Sequence, residues 1–274
     1  MKVAYLGPYG SFTHLVASKS FTKDELIAFP SITEVMKAYE EHQVDYAIIP
    51  VENSIEGSVH ESLDYLFHQA DISAVAEVIQ PIKQQLLATK RDKPIDKILS
   101  HPQAIAQAKR YIKDHYPKAL LETTTSTAYA ARFVSEHPNE PLAAIAPLQA
   151  AKTYHLEVVA KDIQEIDENY TRFWILGDSQ PSISLEKEKQ KMTLALTLPD
   201  NLPGALYKAL SVFAWRGIDL TKIESRPLKT VLGEYFFIID LLVEDKHLVG
   251  YALEELATVG IRPKILGEYH IYHL

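Results

Sequence analysis

The residues with most chemistry to offer gather where short apolar runs give way to helical patterns. Gly7-Pro8-Tyr9-Gly10-Ser11-Phe12-Thr13 follows the first such run. Its glycines permit a tight backbone turn, and Ser11 can cap a helix whose first free N–H groups then point outward. Pro50–Ser58 ends a second run with a carboxylate, an amide and two hydroxyls, from Glu52, Asn53, Ser54 and Ser58. Ser100-His101-Pro102-Gln103 carries the Ser and Gln, three apart, of a capping box. Thr123–Thr127 lays five hydroxyls before another helix. Capping accounts for each feature alone, but four of them in one α/β unit favour a small anion held by amides and hydroxyls. Asn169-Tyr170-Thr171-Arg172-Phe173 adds a cation at the start of an aromatic-rich strand. Arginine suits bidentate carboxylate recognition, so residue chemistry alone reads this region as a binder of a small carboxylate, with catalysis left open.

Other chemistries are closed off. There is no GxGxxG and no GKS/T, so a nucleotide-phosphate cradle is not expected. His14, His60 and His101 lie near the turns without a metal-ligand spacing, and His270 and His273 are expected to flank the end of the last strand as exposed polar positions. No metal and no cofactor is expected. The chain has 274 residues, a net charge of −8 and no cysteine. Without cysteine there is no disulfide, thiol nucleophile, iron–sulfur cluster or Cys-based zinc site, and a reducing cytoplasm is the expected location. The acidic balance argues against nucleic acid or an anionic membrane as partner. No basic, apolar leader follows Met1, and no apolar run approaches the ~20 residues of a spanning helix.

The elements that must position these residues alternate through about residue 177. Apolar runs such as Val3–Leu6, Asp45–Val51, Lys97–Leu99 and Thr171–Gly177 are separated by helix-length stretches such as Ser31–His42, Pro102–His115 and Ser126–Glu136. That alternation predicts α/β with mostly parallel sheets, whose ligands sit beyond strand carboxyl ends. Residues 179–191, polar and ending in a charge run, read as a linker. Beyond it, Met192–Leu198, Leu202–Trp215, Ile218–Ser225, Glu234–Leu242, Lys246–Thr258 and Ile261–Tyr269 form the pattern βαββαβ, a ferredoxin-like layout.

Taken together, these blocks resemble the prephenate dehydratase family. GPYGSFT at 7–13, PVENSIEGSV at 50–59, SHPQAIAQ at 100–107, STA at 126–128, AAIAP at 143–147 and NYTRFWILG at 169–177 are similar, in order, to the family's motifs. From residue 192 the chain resembles an ACT domain of the phenylalanine-sensing kind, through Asn201-Leu202-Pro203-Gly204-Ala205-Leu206 and Glu224-Ser225-Arg226-Pro227. Asp219 stands where the family usually has Asn, and Tyr129 where Glu is common.

The resemblance implies two α/β lobes like a periplasmic binding protein, with the cleft between them as the active site. Lobe one would be about residues 1–78 and 159–178, lobe two about 79–158, and the regulatory ACT domain 192–274. The activity implied is loss of CO2 and water from prephenate to give phenylpyruvate in phenylalanine biosynthesis, inhibited by phenylalanine. No chorismate mutase module precedes residue 1, so the monofunctional form is expected. Thr171 would assist the departing hydroxyl, with Glu52 as the alternative acid and Asn53, Ser100 and Gln107 as orienting donors. Ser11, Thr125, Ser126 and Thr127 would bind substrate, Arg172 would clamp a carboxylate, and Phe173 would touch the ring. Phenylalanine would bind Asn201, Leu202, Gly204, Ala205 and Leu206 of one subunit, together with Glu224, Ser225, Arg226 and Pro227 of its neighbour. A dimer is then the minimum, and the resemblance implies a homotetramer of two such pairs. Arogenate as substrate, and a non-catalytic sensor of an aromatic acid, remain open at this point.

Overall fold

The computed structural model describes residues 1–198, 204–228, 235–261 and 263–274. Two compact units emerge, one formed by Met1–Ser62, Ile79–Phe173 and Leu274, the other by Leu63–Val78 and Trp174–His273.

The first unit holds two sheets. In one, β1 (Lys2–Leu6) pairs in parallel with both β2 (Glu25–Phe29) and β3 (Tyr46–Asn53), and β4 (Gly57–Ser58) folds back on the end of β3. Strand β11 (Tyr170–Leu176) lies beside β3. Helices α1 (Phe12–Ser20) and α2 (Ile32–Glu40) follow β1 and β2. Each is started by a serine: Ser11 Oγ accepts from His14 N and Ser31 Oγ from Glu34 N. Helix α2 buries Ile32, Val35, Met36 and Tyr39, the spacing of one apolar stripe.

The second sheet runs in the order β10-β6-β9-β7-β8, from β6 (Gln85–Ala88), β7 (Lys97–Ser100), β8 (Leu120–Thr123), β9 (Leu142–Ala146) and β10 (Glu157–Ala160). These strands are contiguous in sequence, so this lobe is an insertion between the strands of the first sheet. Strand β7 is parallel to its neighbours, whereas β6 is antiparallel to β9 and β10. Both faces are covered. Leu87, Leu99, Ala144 and Ala146 pack against α6 (Thr127–Glu136) and α7 (Leu148–Tyr154), while Ile98, Ala143 and Ile145 pack with Ala104 and Ile112 of α4 (Pro102–Gln107) and α5 (Lys109–His115). Burial on both faces is why β9 is apolar throughout. The sequence predicts one helix over Pro102–His115, and the structure breaks it at Ala108, with φ −106° and ψ 10°. The Gln107 carbonyl accepts from Glu165 N at 2.8 Å, which diverts it from the helical ladder.

The second unit contains β12 (Lys187–Thr197), α8 (Ala205–Ala214), β13 (Leu220–Pro227), β14 (Tyr235–Leu242), α9 (Lys246–Thr258) and β15 (Lys264–His273). The sheet order β13-β14-β12-β15, with antiparallel pairing throughout, is the expected ferredoxin-like fold. Ala209, Val212 and Phe213 of α8 and Val249, Ala252 and Leu256 of α9 cover one face, against Leu194, Leu196 and Ile239. The charge run does not act as a linker to residue 191. Strand β12 already begins at Lys187, because β15 continues to His273 and offers Tyr272 and His270 as partners to Lys187 and Gln190. His270 and His273 therefore lie within β15 rather than flanking it, and His270 is half-buried.

Residues 63–78, expected in lobe one, belong to this unit for a packing reason. Strand β5 (Ala74–Pro81) lies beside β15, and Gly267 lets Ala74 approach so closely that a Cβ there would sit 2.5 Å from the Ala74 carbonyl oxygen. Lys264 Nζ donates to the carbonyls of Leu66 (2.7 Å), Phe67 (3.2 Å) and Ala70 (2.7 Å), capping the end of α3 (His60–His68). The Phe67 ring stacks on Phe236 with centroids 3.7 Å apart. Buried Glu77 accepts from Trp174 Nε1 at 3.0 Å, with Lys191 Nζ 3.5 Å from its other oxygen.

Candidate active site

In the first unit, a cleft of about 590 Å³ is lined by residues from both lobes. Its organising residue is Asn53, at the end of β3. Asn53 Nδ2 donates to Asn169 Oδ1 (2.8 Å), Thr171 Oγ1 (3.0 Å) and the Tyr170 carbonyl (3.2 Å). Its Oδ1 accepts from the N–H groups of Ile55 and Glu56, at 3.1 and 3.2 Å. A side chain held from both ends has one orientation, and it presents a donor to Thr171. The Thr171 hydroxyl proton has no acceptor among the described residues, so it is free for a ligand. Asn53, Thr171 and Phe173 all line the cleft, as alternation along β11 requires of residues two apart.

Ser11 is at the cleft, but its hydroxyl is occupied, accepting from His14 N (3.1 Å) and donating to the Leu6 carbonyl (3.3 Å). The first-turn N–H groups of Phe12 and Thr13 lack intrahelical partners by geometry, and both residues line the cleft. From the other lobe, Thr125, Ser126 and Thr127 line it at the start of α6. Ser126 Oγ caps that helix by accepting from Tyr129 N at 3.0 Å. His14 stands behind the first turn. Its Nδ1 accepts from Gly10 N at 3.3 Å and its ring lies against Tyr9, and burial holds its pKa below the ordinary imidazole value. Tyr5, beneath it, is pushed up to about 12 by burial. Gly10, at φ +86°, packs against Tyr154 of α7, whose hydroxyl donates to the Tyr9 carbonyl.

Three sequence expectations change. Arg172 is not a free carboxylate clamp: its guanidinium pairs with Glu52 at 2.5 Å, and neither side chain lines the cleft. Both residues sit one position out of phase with Asn53 and Thr171 on neighbouring strands, which puts them on the opposite face. Glu52, expected as the alternative acid, is engaged with that cation. Ser100 is fully buried, its hydroxyl donating to the Ile145 carbonyl at 2.6 Å, and it does not line the cleft. The cap of α4 is His101, whose Nδ1 accepts from Gln103 N, instead of a Ser100–Gln103 box. Gln107 does line the cleft, with its Oε1 buried and without a hydrogen-bond partner among the described residues.

Sequence reading missed Gln84, His60, His101 and Gln103 as cleft residues. No motif marks Gln84. For His60 and His101 the signal was present, since each stands at a helix start already singled out.

In the second unit, Gly204 caps α8 at φ +82°, with nothing among the described residues within 4 Å of where a Cβ would stand, and Ala205 and Leu206 are half-buried. Asn201 and Leu202 lie outside the described residues. Across β13, Ser225 and Pro227 are exposed, whereas Arg226 is buried and holds Asp64 Oδ1 (2.6 and 3.1 Å) and Glu224 Oε1 (3.1 Å).

The profile of the prephenate dehydratase family matches residues 3–181. The chain belongs to the prephenate dehydratase family. A prephenate dehydratase of Lactococcus lactis subsp. lactis is 53% identical over 276 residues, covering 100% of this chain and 99% of the relative. The X-ray structure of prephenate dehydratase from Streptococcus mutans is 48% identical, covers 99% of each chain and superposes with a TM-score of 0.67. Prephenate dehydratase from Arthrobacter aurescens, solved in complex with L-Phe, is 32% identical, covers 98% of this chain and 89% of that one, and gives a TM-score of 0.84. The enzyme is a prephenate dehydratase, and the cleft ringed by helix starts, with Thr171 held by Asn53, is its candidate active site. Among the described residues no helix is long and apolar enough to cross a membrane.

Proposed function

We propose that Thr171 is the group that assists the departing hydroxyl of prephenate, and that the surrounding helix starts hold the substrate's two carboxylates. The observation that supports this is the Asn53–Thr171 hydrogen bond, in which the threonine oxygen accepts, so that its own proton is not used in that bond. In the reaction the bond from the ring to its carboxylate breaks and that electron pair enters the ring. The bond to the ring hydroxyl breaks at the far side, and the hydroxide leaves as water once it takes a proton. Aromatisation drives the step, so the protein need only orient the dianion and ease departure of the hydroxyl. A threonine hydroxyl is a weak acid, so Thr171 donates or relays a hydrogen bond. Amides of Phe12 and Thr13 on one lobe, with the hydroxyls of Thr125 and Thr127 on the other, suit the carboxylates. Glu52 and Arg172 support the strand ends from the opposite face.

The second unit is read as the regulatory ACT domain of a cytoplasmic enzyme, following a catalytic domain of residues 1–178. L-Phe bound to the Arthrobacter relative supports a phenylalanine site here, formed by Asn201–Leu206 of one subunit and Glu224–Pro227 of another. Strand β13 is a sheet edge, and Tyr207 and Trp215 of this unit are exposed, which suits pairing with a second copy and assembly of two pairs into a tetramer. The test is formation of phenylpyruvate from prephenate, read by its absorbance in base, with and without phenylalanine. Turnover suppressed by phenylalanine is expected. Turnover without suppression removes the regulatory reading, and turnover of arogenate alone moves the substrate.

A further inference from the structure

Gln84 is 3% exposed, lines the cleft, and has a side-chain Oε1 that is buried without a partner among the described residues. Its backbone is locked on both sides: Gln84 N donates to Gln164 Oε1 and its carbonyl accepts from Ile163 N, each at 2.9 Å. Two residues earlier, Ile82 N donates at 2.8 Å to the carbonyl of Asn169, the residue whose side chain shares Asn53 Nδ2 with Thr171. The carboxamide is therefore carried on the same hydrogen-bonded frame as the Thr171 hydroxyl.

A buried acceptor left unmet is costly, so a fixed one at a cleft wall selects a ligand that brings a donor. Prephenate has two carboxylates and a ketone, which only accept, and a single O–H, the ring hydroxyl that leaves. We infer that Gln84 is a substrate-positioning residue whose Oε1 accepts a hydrogen bond from the ring hydroxyl of prephenate. This rests on the reading of the cleft as the prephenate site. Accepting that hydrogen orients the hydroxyl and raises electron density on its oxygen, which then receives the hydrogen bond of Thr171 more readily.

The product supplies the control, because phenylpyruvate keeps the side chain but has neither the ring hydroxyl nor the ring carboxylate. Gln84→Met keeps the length and removes the acceptor. It should lower kcat/KM for prephenate by roughly 10- to 100-fold while inhibition by phenylpyruvate stays within about twofold of wild type. If that variant does not fold, Gln84→Asn, which withdraws the oxygen by one methylene, is read the same way. Gln84→Glu keeps an acceptor and should retain more kcat than Gln84→Met. Unchanged kcat/KM in Gln84→Met overturns the inference, and equal weakening of phenylpyruvate inhibition makes Gln84 merely structural. A Gln84→Glu variant with lower kcat than Gln84→Met would mean that the amide donates rather than accepts. Wild type assayed alongside separates the cases, since absence of turnover there removes the reading of the site itself.

Discussion

Asn53 Nδ2 donates to Thr171 Oγ1 across 3.0 Å, joining residues 118 positions apart at the ends of two neighbouring strands. The direction of this bond matters as much as its length. An amide N–H donating to the hydroxyl oxygen leaves the hydroxyl hydrogen out of that bond, as the proposed role of Thr171 requires.

Reversing that polarity should cost activity. Asn53→Asp would accept from Thr171 and sequester its proton. Thr171→Val and Asn53→Asp should each lower kcat by roughly 10²- to 10⁴-fold, and the double variant should be little worse than either alone. Steady-state kinetics on all four proteins measure the coupling. Additive losses would mean that the two residues act separately.

Glu52 and Arg172 are expected to matter for stability before chemistry. Glu52→Gln removes the charge of one member of a partly buried ion pair. A loss of about 1–3 kcal/mol in urea unfolding is expected, with the basic limb of the pH dependence of kcat/KM intact. Disappearance of that limb would make Glu52 the acid instead.

His14 ties stability to pH. Burial lowers its folded pKa, so between the ordinary value of about 6.5 and the lower folded value the unfolded chain binds the extra proton. Its contribution is complete above about pH 6.5 and is lost as pH falls toward the folded pKa. His14→Asn should flatten the stability profile as pH falls below about 6.5. A variant as pH-sensitive as wild type would place the titration elsewhere.

Gly267→Ala is a steric prediction. The new methyl would meet the Ala74 carbonyl oxygen at 2.5 Å and the Ala74 Cβ at 2.6 Å, and backbone cannot swing aside as a side chain can. A loss of about 3 kcal/mol or more is expected, seen as a lowered Tm. A neutral substitution would mean that β5 and β15 can separate without cost.

Most elements were legible because their signals are local. Ser11 and Ser126 are caps in the structure as their positions before helical runs imply, and the βαββαβ tail follows from alternation and spacing. The placement of Arg172 has a local signal. With Thr171 and Phe173 on one side of a strand, period-two geometry already sends Arg172 to the other. Gln84 had no local signal, since nothing in KQQLL separates a cleft carboxamide from any other strand-start residue.

By itself the amino-acid order determined most strand and helix starts, the hydroxyl-rich turns and the family to which the blocks belong, because turn chemistry and periodicity act over a few residues. Tertiary structure decided which of those polar groups face the cleft. Glu52 found its cation 120 positions away, Ser100 spent its hydroxyl on Ile145, and residues 63–78 joined the C-terminal unit through Lys264 and Gly267. In each case the outcome turns on the cost of leaving a polar or charged group unpaired, or on the space for one atom, and both depend on neighbours that the chain brings together only by folding.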